Sequence, residues 1–584
     1  MKILGISCYY HDSSASLLID GRIISAAEEE RFTRKKHDNS FPINSINFCL
    51  EKNNLTISDI DIIGFYEKPI TKFERLMSQH LQSFPKSLKV FLSSTPSWLN
   101  EKLRVVSRIR KLGYEKDILF IAHHMAHAAS SFLVSPFEKS AILTADGVGE
   151  WTTLAYGYGE NNNIKLLKEI RFPHSIGLLY STITAFLGFS VNNSEYKVMG
   201  LSPYGNMDRK TNRYYHLLKK VIDIKEDGSF RLDMSYFRYH FADRMPSKKL
   251  ALLLGEERKK DSTLTKRHKD IAAALQLLTE EVMTKILIHV RKETNSENIV
   301  MVGGVALNSV YNGKILRETG FKRIWMQPNA SDGGTSLGVC SYIYNTILGN
   351  KRNYAMKDAY LGPGYSNEEI KEFLDSNKIK YTTFNSDQEL IKTTADLLIN
   401  NNVIGWFHGK MEWGPRALGN RSILSNASNK EMQDILNLKV KHREKFRPFA
   451  PVVCEDDALK YFECDIPIPE TTDYMLMVYP IKKEWQEKIP AVTHVDGSGR
   501  LQTVRREQNQ LYYDLIKKFG ELSGIPILIN TSFNIRGEPI VCTPKDAYKC
   551  MMGTGIDYLV IGKFLVKRED NPNDMWDSEA NASD

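Results

Sequence analysis

Apolar runs of strand length that stop at an aspartate or a pair of glycines recur along this chain. Alternating with helical spacing, they are what an α/β protein is built from. Ala141–Ala145 stops at Asp146-Gly147-Val148-Gly149, and Asn298–Val302 stops at Gly303-Gly304. Lys2–Ser7, Ala15–Ile19 and Arg22–Ala27 read as three strands, joined by the polar loop Tyr9–Ser14 and the turn Asp20-Gly21. Ile43–Lys52 has helical spacing, Ile60–Phe65 and Ile118–Ile121 are extended runs, and His123–Leu133 is predicted helical before the strand Ser140–Ala145. In Asp270–Lys292 the apolar residues Ile271, Leu275, Leu278, Val282 and Ile286 recur at helical intervals.

A chain of 584 residues exceeds what one hydrophobic core organises, so two domains are expected. The polar break Gly349–Asn353 places the junction near residue 350, giving domains over residues 1–350 and 351–567. Residues 568–584 form a polar tail expected to be disordered. No apolar run is long enough to cross a bilayer. The first apolar stretch fails at His11-Asp12 without a cleavage site, which excludes a signal peptide and makes the expected compartment cytoplasmic. Seven scattered cysteines with no CxxC pair fit reduced thiols and argue against a thiolate zinc site. A net charge of +8 suits anionic ligands, and no basic run with interleaved aromatics points to nucleic acid.

His123 and His127, four apart, fall on one face of the predicted helix, where both imidazoles reach one metal ion. Asp146 ends a buried strand, and Gly147 and Gly149 after it let backbone approach a phosphate. Asp332 opens a helix in Ala-Ser-Asp-Gly-Gly-Thr-Ser-Leu-Gly, a place where aspartate also serves as a plain cap. Two imidazoles and two carboxylates make a mixed N/O set for a divalent metal, with iron(II), manganese and zinc all chemically suitable. Gly303, Gly304 and Asn308 form an element on which a nucleotide can lie, together with Asp146 and Asp332. His11, with Asp12 beside it, sits in the first loop, where an imidazole near neutral pKa can take a proton from a hydroxyl.

The carboxy-terminal half carries arginines in turn-rich contexts: Arg416 and Arg421, Arg443 and Arg447, Arg505, and Arg536. Guanidinium forks bind phosphate bidentately, so several in one pocket suit an anionic donor and a nucleotide. The plain alternative is solvated surface charge.

The segments HDSSASLLIDGRIISAAEEERFTRKKH, HHMAHA, TADGVGE, YKVMGLSPYG, GGVALN, ASDGGTSLG, WGPRALGNRS, FRPFAP and NTSFNIRGEPIV stand in this order over residues 2–567. They resemble the O-carbamoyltransferases of the NodU/CmcH type. The resemblance implies an amino-terminal domain of the actin, sugar-kinase and heat-shock-chaperone class and a carboxy-terminal YrdC-like α/β domain. It implies that carbamoyl phosphate and ATP become carbamoyladenylate in the second domain. The carbamoyl group then passes, at an iron(II) site in the first, to a hydroxyl of a small-molecule acceptor. Carried onto this chain, the base is His11 and the metal ligands are His123, His127, Asp146 and Asp332. The substrate residues are then Asp12, Lys36, Arg416, Arg421, Arg447, Arg505, Asn530, Ser532, Asn534 and Arg536. A homodimer is the default, with no nucleic-acid or membrane partner expected. A small-molecule kinase of the same fold, tRNA threonylcarbamoyl transfer and a nucleotide sensor without turnover are the competing readings, and the acceptor is not legible.

Overall fold

The structure, a computed structural model, describes residues 1–444 and 446–572. The chain divides into two compact units. One comprises Met1–Ala26 with Asn39–Met356, and the other comprises Ala27–Asp38 with the chain from Lys357 onward. The twelve residues Ala27–Asp38 thus belong with the carboxy-terminal unit although they lie in the first tenth of the sequence.

In the first unit, β1 (Lys2–Ser7), β2 (Ser14–Ile19), β3 (Arg22–Glu28), β4 (Ile62–Phe65) and β5 (Asp117–Phe120) form a sheet of order β3-β2-β1-β4-β5. β1 runs antiparallel to β2 and parallel to β4, which is parallel to β5. A second sheet is built from β6 (Lys139–Ala145), β7 (Thr152–Glu160), β8 (Asn163–Arg171), β11 (Asn298–Val302) and β12 (Arg323–Trp325), in the order β12-β11-β6-β7-β8. The intervening β9 (Ile222–Ile224) and β10 (Phe230–Leu232) form a separate hairpin. Again the first strand lies antiparallel to the second and parallel to the fourth, so the second sheet repeats the plan of the first. The unit is of the α/β class expected from the sequence.

Every residue of β1 after Lys2 is buried, as a strand covered on both faces requires. The helix Lys266–Thr294 begins four residues before the predicted stretch, because Thr265 and His268 close a capping box there. The helix Thr335–Ser341 packs on β1, on β2 and on the helix His123–Phe132. It is buried along its whole length.

The second unit is a mixed sheet of order β13-β21-β20-β14-β15-β19-β16-β18-β17. Its strands are β13 (Thr382–Thr383), β14 (Ile404–Phe407), β15 (Arg421–Asn426), β16 (Ala450–Cys454), β17 (Met477–Pro480), β18 (Ser498–Val504), β19 (Leu528–Ser532), β20 (Tyr558–Ile561) and β21 (Phe564–Lys567). The helices Asp387–Ile399 and Gln510–Ser523 pack together over a core of Trp406, Leu424, Val452, Leu515, Phe519 and Leu528. The start of the expected disordered tail is structured. Arg568–Asp570 form a 3-10 turn, and the Asn571 side chain both accepts from the Lys380 N–H and donates to the Lys380 carbonyl. The remainder of the tail, residues 573–584, lies outside the described residues.

Candidate active site

The helix His123–Phe132 starts at a residue, Ala122, that offers no side-chain cap. Its first N–H is instead received by Glu150, whose carboxylate oxygens lie 3.0 and 3.1 Å from His123 N. The same carboxylate takes the N–H of Lys68 at 2.8 Å. An acidic group at a helix start is favoured by the unpaired amides and the helix dipole. Gly149, the preceding residue, can carry no side chain, since a Cβ would lie 2.8 Å from the His123 ring.

That helix aims His123 and His127 at two carboxylates. Asp146 stands just past β6, and Asp332 opens the turn before Thr335–Ser341. His123 Nε2 lies 3.2 Å from Asp146 Oδ2 and 3.6 Å from Asp332 Oδ1. His127 Nε2 lies 3.3 Å from Asp332 Oδ1 and 3.9 Å from Asp146 Oδ2. One ligand atom from each residue falls within 4.8 Å of all the others, and all four residues are buried. Neither nitrogen of His127 has a hydrogen-bond partner, nor does Asp332 Oδ2. Buried polar atoms left without partners, converging as two nitrogens and two oxygens, fit a divalent cation.

The electrostatics agree. Burial pushes the His123 imidazole down, but Asp332 and Asp146 outweigh it and raise it to about 9. Burial pushes the Asp146 carboxyl up, yet His123, His127 and the Gly304 N–H together hold it well below the usual carboxylate range. Two buried carboxylates side by side require positive charge, and this set is arranged to receive it.

The glycine elements serve this cluster. Gly304 N–H donates to Asp146 Oδ1 at 3.0 Å. Gly303, with φ of 99°, lies so close to β6 that a Cβ would meet the Ala145 carbonyl at 2.2 Å. Gly147 has room around it, its nearest neighbour being the Tyr10 hydroxyl at 3.8 Å from an added Cβ. Asn308 is spent within the fold. Its amide exchanges two hydrogen bonds with Gln276, and its Oδ1 accepts the Tyr311 N–H. His124 turns away from the cluster to Thr144 Oγ1 at 2.7 Å, and burial holds it neutral.

His11 lies in the β1–β2 loop, beside Asp12 in the left-handed region. Its Nδ1 is 2.7 Å from Asp12 Oδ2, and its Nε2 donates to the Asn192 carbonyl at 2.7 Å. Burial lowers the imidazole pKa, but Asp12, Asp332 and the Asn192 carbonyl reverse this and bring it to about 10. Asp12 thus orients the ring, and Nε2 carries a proton while it faces Asn192.

In the second unit the sequence-predicted arginines separate into two kinds. Arg421 is fully buried, lies over the Phe407 ring at 3.6 Å, and donates to the carbonyls of His408, Gly409, Asn420 and Pro363. Arg505 is paired with Asp473 at 3.0 Å and Glu455 at 3.2 Å. Both are engaged by oxygens of the protein, Arg421 by carbonyls and Arg505 by carboxylates. Asn530 is likewise enclosed, donating to Gln502 Oε1 and the Ala417 carbonyl.

Arg443, Arg447, Arg536, Ser532 and Asn534 gather around a residue that sequence reading passed over. Lys441 is buried, and its ammonium donates to the carbonyls of Ser532 and Asn534 and to Asn534 Oδ1, all uncharged oxygens. Burial drives its pKa well below the ordinary lysine value, and Arg443, Arg447 and Lys36 push it further down. Arg536 reaches the neighbouring His442 carbonyl at 3.3 Å. Lys36 therefore belongs to this basic group, carried there by the Ala27–Asp38 segment. The Arg416 loop is shaped by Glu412, whose Oε1 accepts the N–H groups of Leu418, Asn420 and Arg421. Concentrated positive charge around a desolvated ammonium suits a polyanionic ligand.

Residues 2–340 match the family model described as carbamoyltransferase N-terminus, and residues 395–568 match carbamoyltransferase C-terminus. The chain belongs to the carbamoyltransferase family. It is 44% identical to an uncharacterised protein of Synechocystis sp., over 99% of this chain and 98% of that protein. It is 35% identical to nodulation protein NolNO of Sinorhizobium fredii, over 97% of this chain and 80% of that one. With nodulation protein U of Rhizobium tropici it shares 26% identity over 97% and 96% of the two chains. Transferase chemistry follows for this carbamoyltransferase at the level of the family.

Glu150 is the residue of the first unit that sequence analysis left without a role, although it closes the TADGVGE segment. Because it holds the start of the helix that carries two of the candidate ligands, Glu150→Gln is expected to weaken divalent-metal affinity by about 10- to 100-fold. Calorimetric metal titration checks this. Affinity equal to that of the parent protein would remove the positioning role.

Proposed function

We propose that this carbamoyltransferase converts carbamoyl phosphate, water and ATP into carbamoyladenylate, phosphate and pyrophosphate, and then carbamoylates a hydroxyl of a small-molecule acceptor. The observation that carries the reading is the buried quartet of His123, His127, Asp146 and Asp332, in the same unit as the Asp12-oriented His11. The basic group around Lys441 supports the first half-reaction, since ATP and carbamoyl phosphate are both polyanions.

In the transfer step the acceptor oxygen bonds to the carbamoyl carbon and the bond from that carbon to the AMP oxygen breaks. The hydroxyl proton goes to His11 Nε2. For that, the hydroxyl must take the place of the Asn192 carbonyl, with Nε2 entering unprotonated while Nδ1–H stays on Asp12. Held by the four side chains, a divalent cation, iron(II) by family expectation, would supply Lewis acidity of several kcal/mol toward developing negative charge. Gly303 and Gly304 keep Asp146 in place beside it.

Incubating the metal-reconstituted protein with carbamoyl phosphate and ATP, without acceptor, tests the reading. Pyrophosphate and phosphate are expected to appear in equal amounts with no ADP. Formation of ADP would instead assign the chain to phosphoryl transfer.

A further inference from the structure

The helix Pro69–Ser83 is inverted relative to an ordinary surface helix. It buries Lys72 and Arg75 and turns Ile70 and Leu81 outward, at 81% and 71% exposure. The buried cations are accounted for: Lys72 pairs with Glu67 and lies over the Tyr10 ring, and Arg75 donates to the Gly149 carbonyl at 3.0 Å. The helix is thereby anchored beside the metal-binding residues, and its apolar face is left over.

That face continues around the bend. Phe84 is 62% exposed, and in the next helix, Leu88–Asn100, Leu88, Leu92 and Leu99 recur along one side and are exposed. The hairpin is a built platform. On its inner side Phe73 packs on Trp98 with ring centres 5.8 Å apart. At the bend His80 stacks on Phe91 at 4.0 Å, with its Nδ1 2.9 Å from Ser87 Oγ. Apolar side chains scattered singly over a surface need no explanation, but a continuous row on a braced hairpin does.

Charge identifies the occupant. Exposed Lys86 and Lys89 are interleaved with the apolar row at the bend, and residues 75–100 contain no Asp or Glu; exposed Glu74 lies a turn from Ile70, toward the start of the first helix. A second copy meeting this one at the bend would bring Lys86 and Lys89 of both together, with no carboxylate in residues 75–100 to receive them. An anionic surface with an apolar layer beneath satisfies both halves of the pattern.

We propose that the Pro69–Asn100 hairpin seats on an anionic lipid bilayer. Leu81, Phe84, Leu88 and Leu92 enter the boundary between headgroups and acyl chains, and Lys86 and Lys89 lie at the headgroup phosphates. This is peripheral attachment, since no helix among the described residues is long and apolar enough to cross a membrane. It revises the expectation that no membrane partner exists.

Flotation of the full-length protein with vesicles tests it, using phosphatidylcholine alone and phosphatidylcholine mixed with phosphatidylglycerol. Binding is expected to the mixed vesicles and to weaken with salt. At about fivefold per lysine, Lys86→Gln with Lys89→Gln should weaken it roughly 30-fold. The variant Leu81→Ser/Phe84→Ser/Leu88→Ser should abolish it without altering the circular dichroism melt. Equal flotation of parent and variants would overturn the proposal. So would a failure to bind either vesicle. A concentration-dependent dimer that the serine variant dissolves would also overturn it, and would give the face to a second copy of the chain.

Discussion

Replacing His11 with asparagine is expected to slow carbamoyl transfer to the acceptor by about 10²- to 10⁴-fold while leaving pyrophosphate release unchanged. The separation follows from where the groups lie. His11 is on the β1–β2 loop of the first unit, whereas Lys441, Ser532, Asn534 and Lys36 belong to the second. Single-turnover assays of the two half-reactions check it, and an equal loss in both would sink the assignment of His11 as base. A companion change, Asp12→Asn, removes the group that does most to hold the imidazole up near 10 against burial. A base acts only when deprotonated, so activity limited by it rises with pH through its pKa. Taking away Asp12 lowers that pKa and moves the acid limb of the profile to lower pH, while the maximum rate falls because the ring is no longer oriented.

Lys441→Met is expected to slow formation of carbamoyladenylate by about 10²- to 10³-fold, the cost of removing a donor that a bound polyanion would hold charged in a desolvated site. The more decisive reading is thermal. In the parent protein, carbamoyl phosphate at about 100 times its dissociation constant should add roughly 2.7 kcal/mol of stability. The variant should lose that increment, because burial and the charges of Arg443, Arg447 and Lys36 hold the Lys441 pKa down, and a bound anion that offsets them would restore the ammonium as a donor to it. Full retention of the ligand-induced rise in melting temperature would place the donor elsewhere. The ligand-free melting temperature is not the test. Methionine relieves a buried cation but strands the Ser532 and Asn534 oxygens, and the two effects oppose.

What could be read from the sequence was what depends on local spacing. His123 and His127 are one helical turn apart whatever surrounds them, and strands ending at Asp146 or Gly303 are visible as apolar runs that stop. The α/β class followed from the same periodicities. The duplication of strand order in the two sheets of the first unit was invisible, because it is conserved in pairing and not in residues. The arginines illustrate the other limit. Nothing near Arg421 in sequence announces that carbonyls from Pro363 and His408 will surround it, or that Asp473 will meet Arg505. Conversely, Lys441 sits in a run of charge that looks solvated, and only tertiary burial separates it from its neighbours. Glu150 and Glu412 escaped for a related reason, since an acidic side chain that collects backbone N–H groups from another segment leaves no periodic trace.

The Ala27–Asp38 segment constrains how such a chain is made and how it can be rearranged. Arg31 is buried against Glu30 and the Gly414 carbonyl, and Arg34 donates to the carbonyls of Pro539 and Ile540, so the second unit is completed by residues synthesised more than 300 positions before its body. During translation this piece must wait, unpartnered, until nearly the whole polypeptide has left the ribosome. A single crossover near residue 350 would hand the incoming second half a docking segment shaped for a different partner. Exchange of halves between family members therefore needs two coordinated joints, and the two units are bound to diverge together.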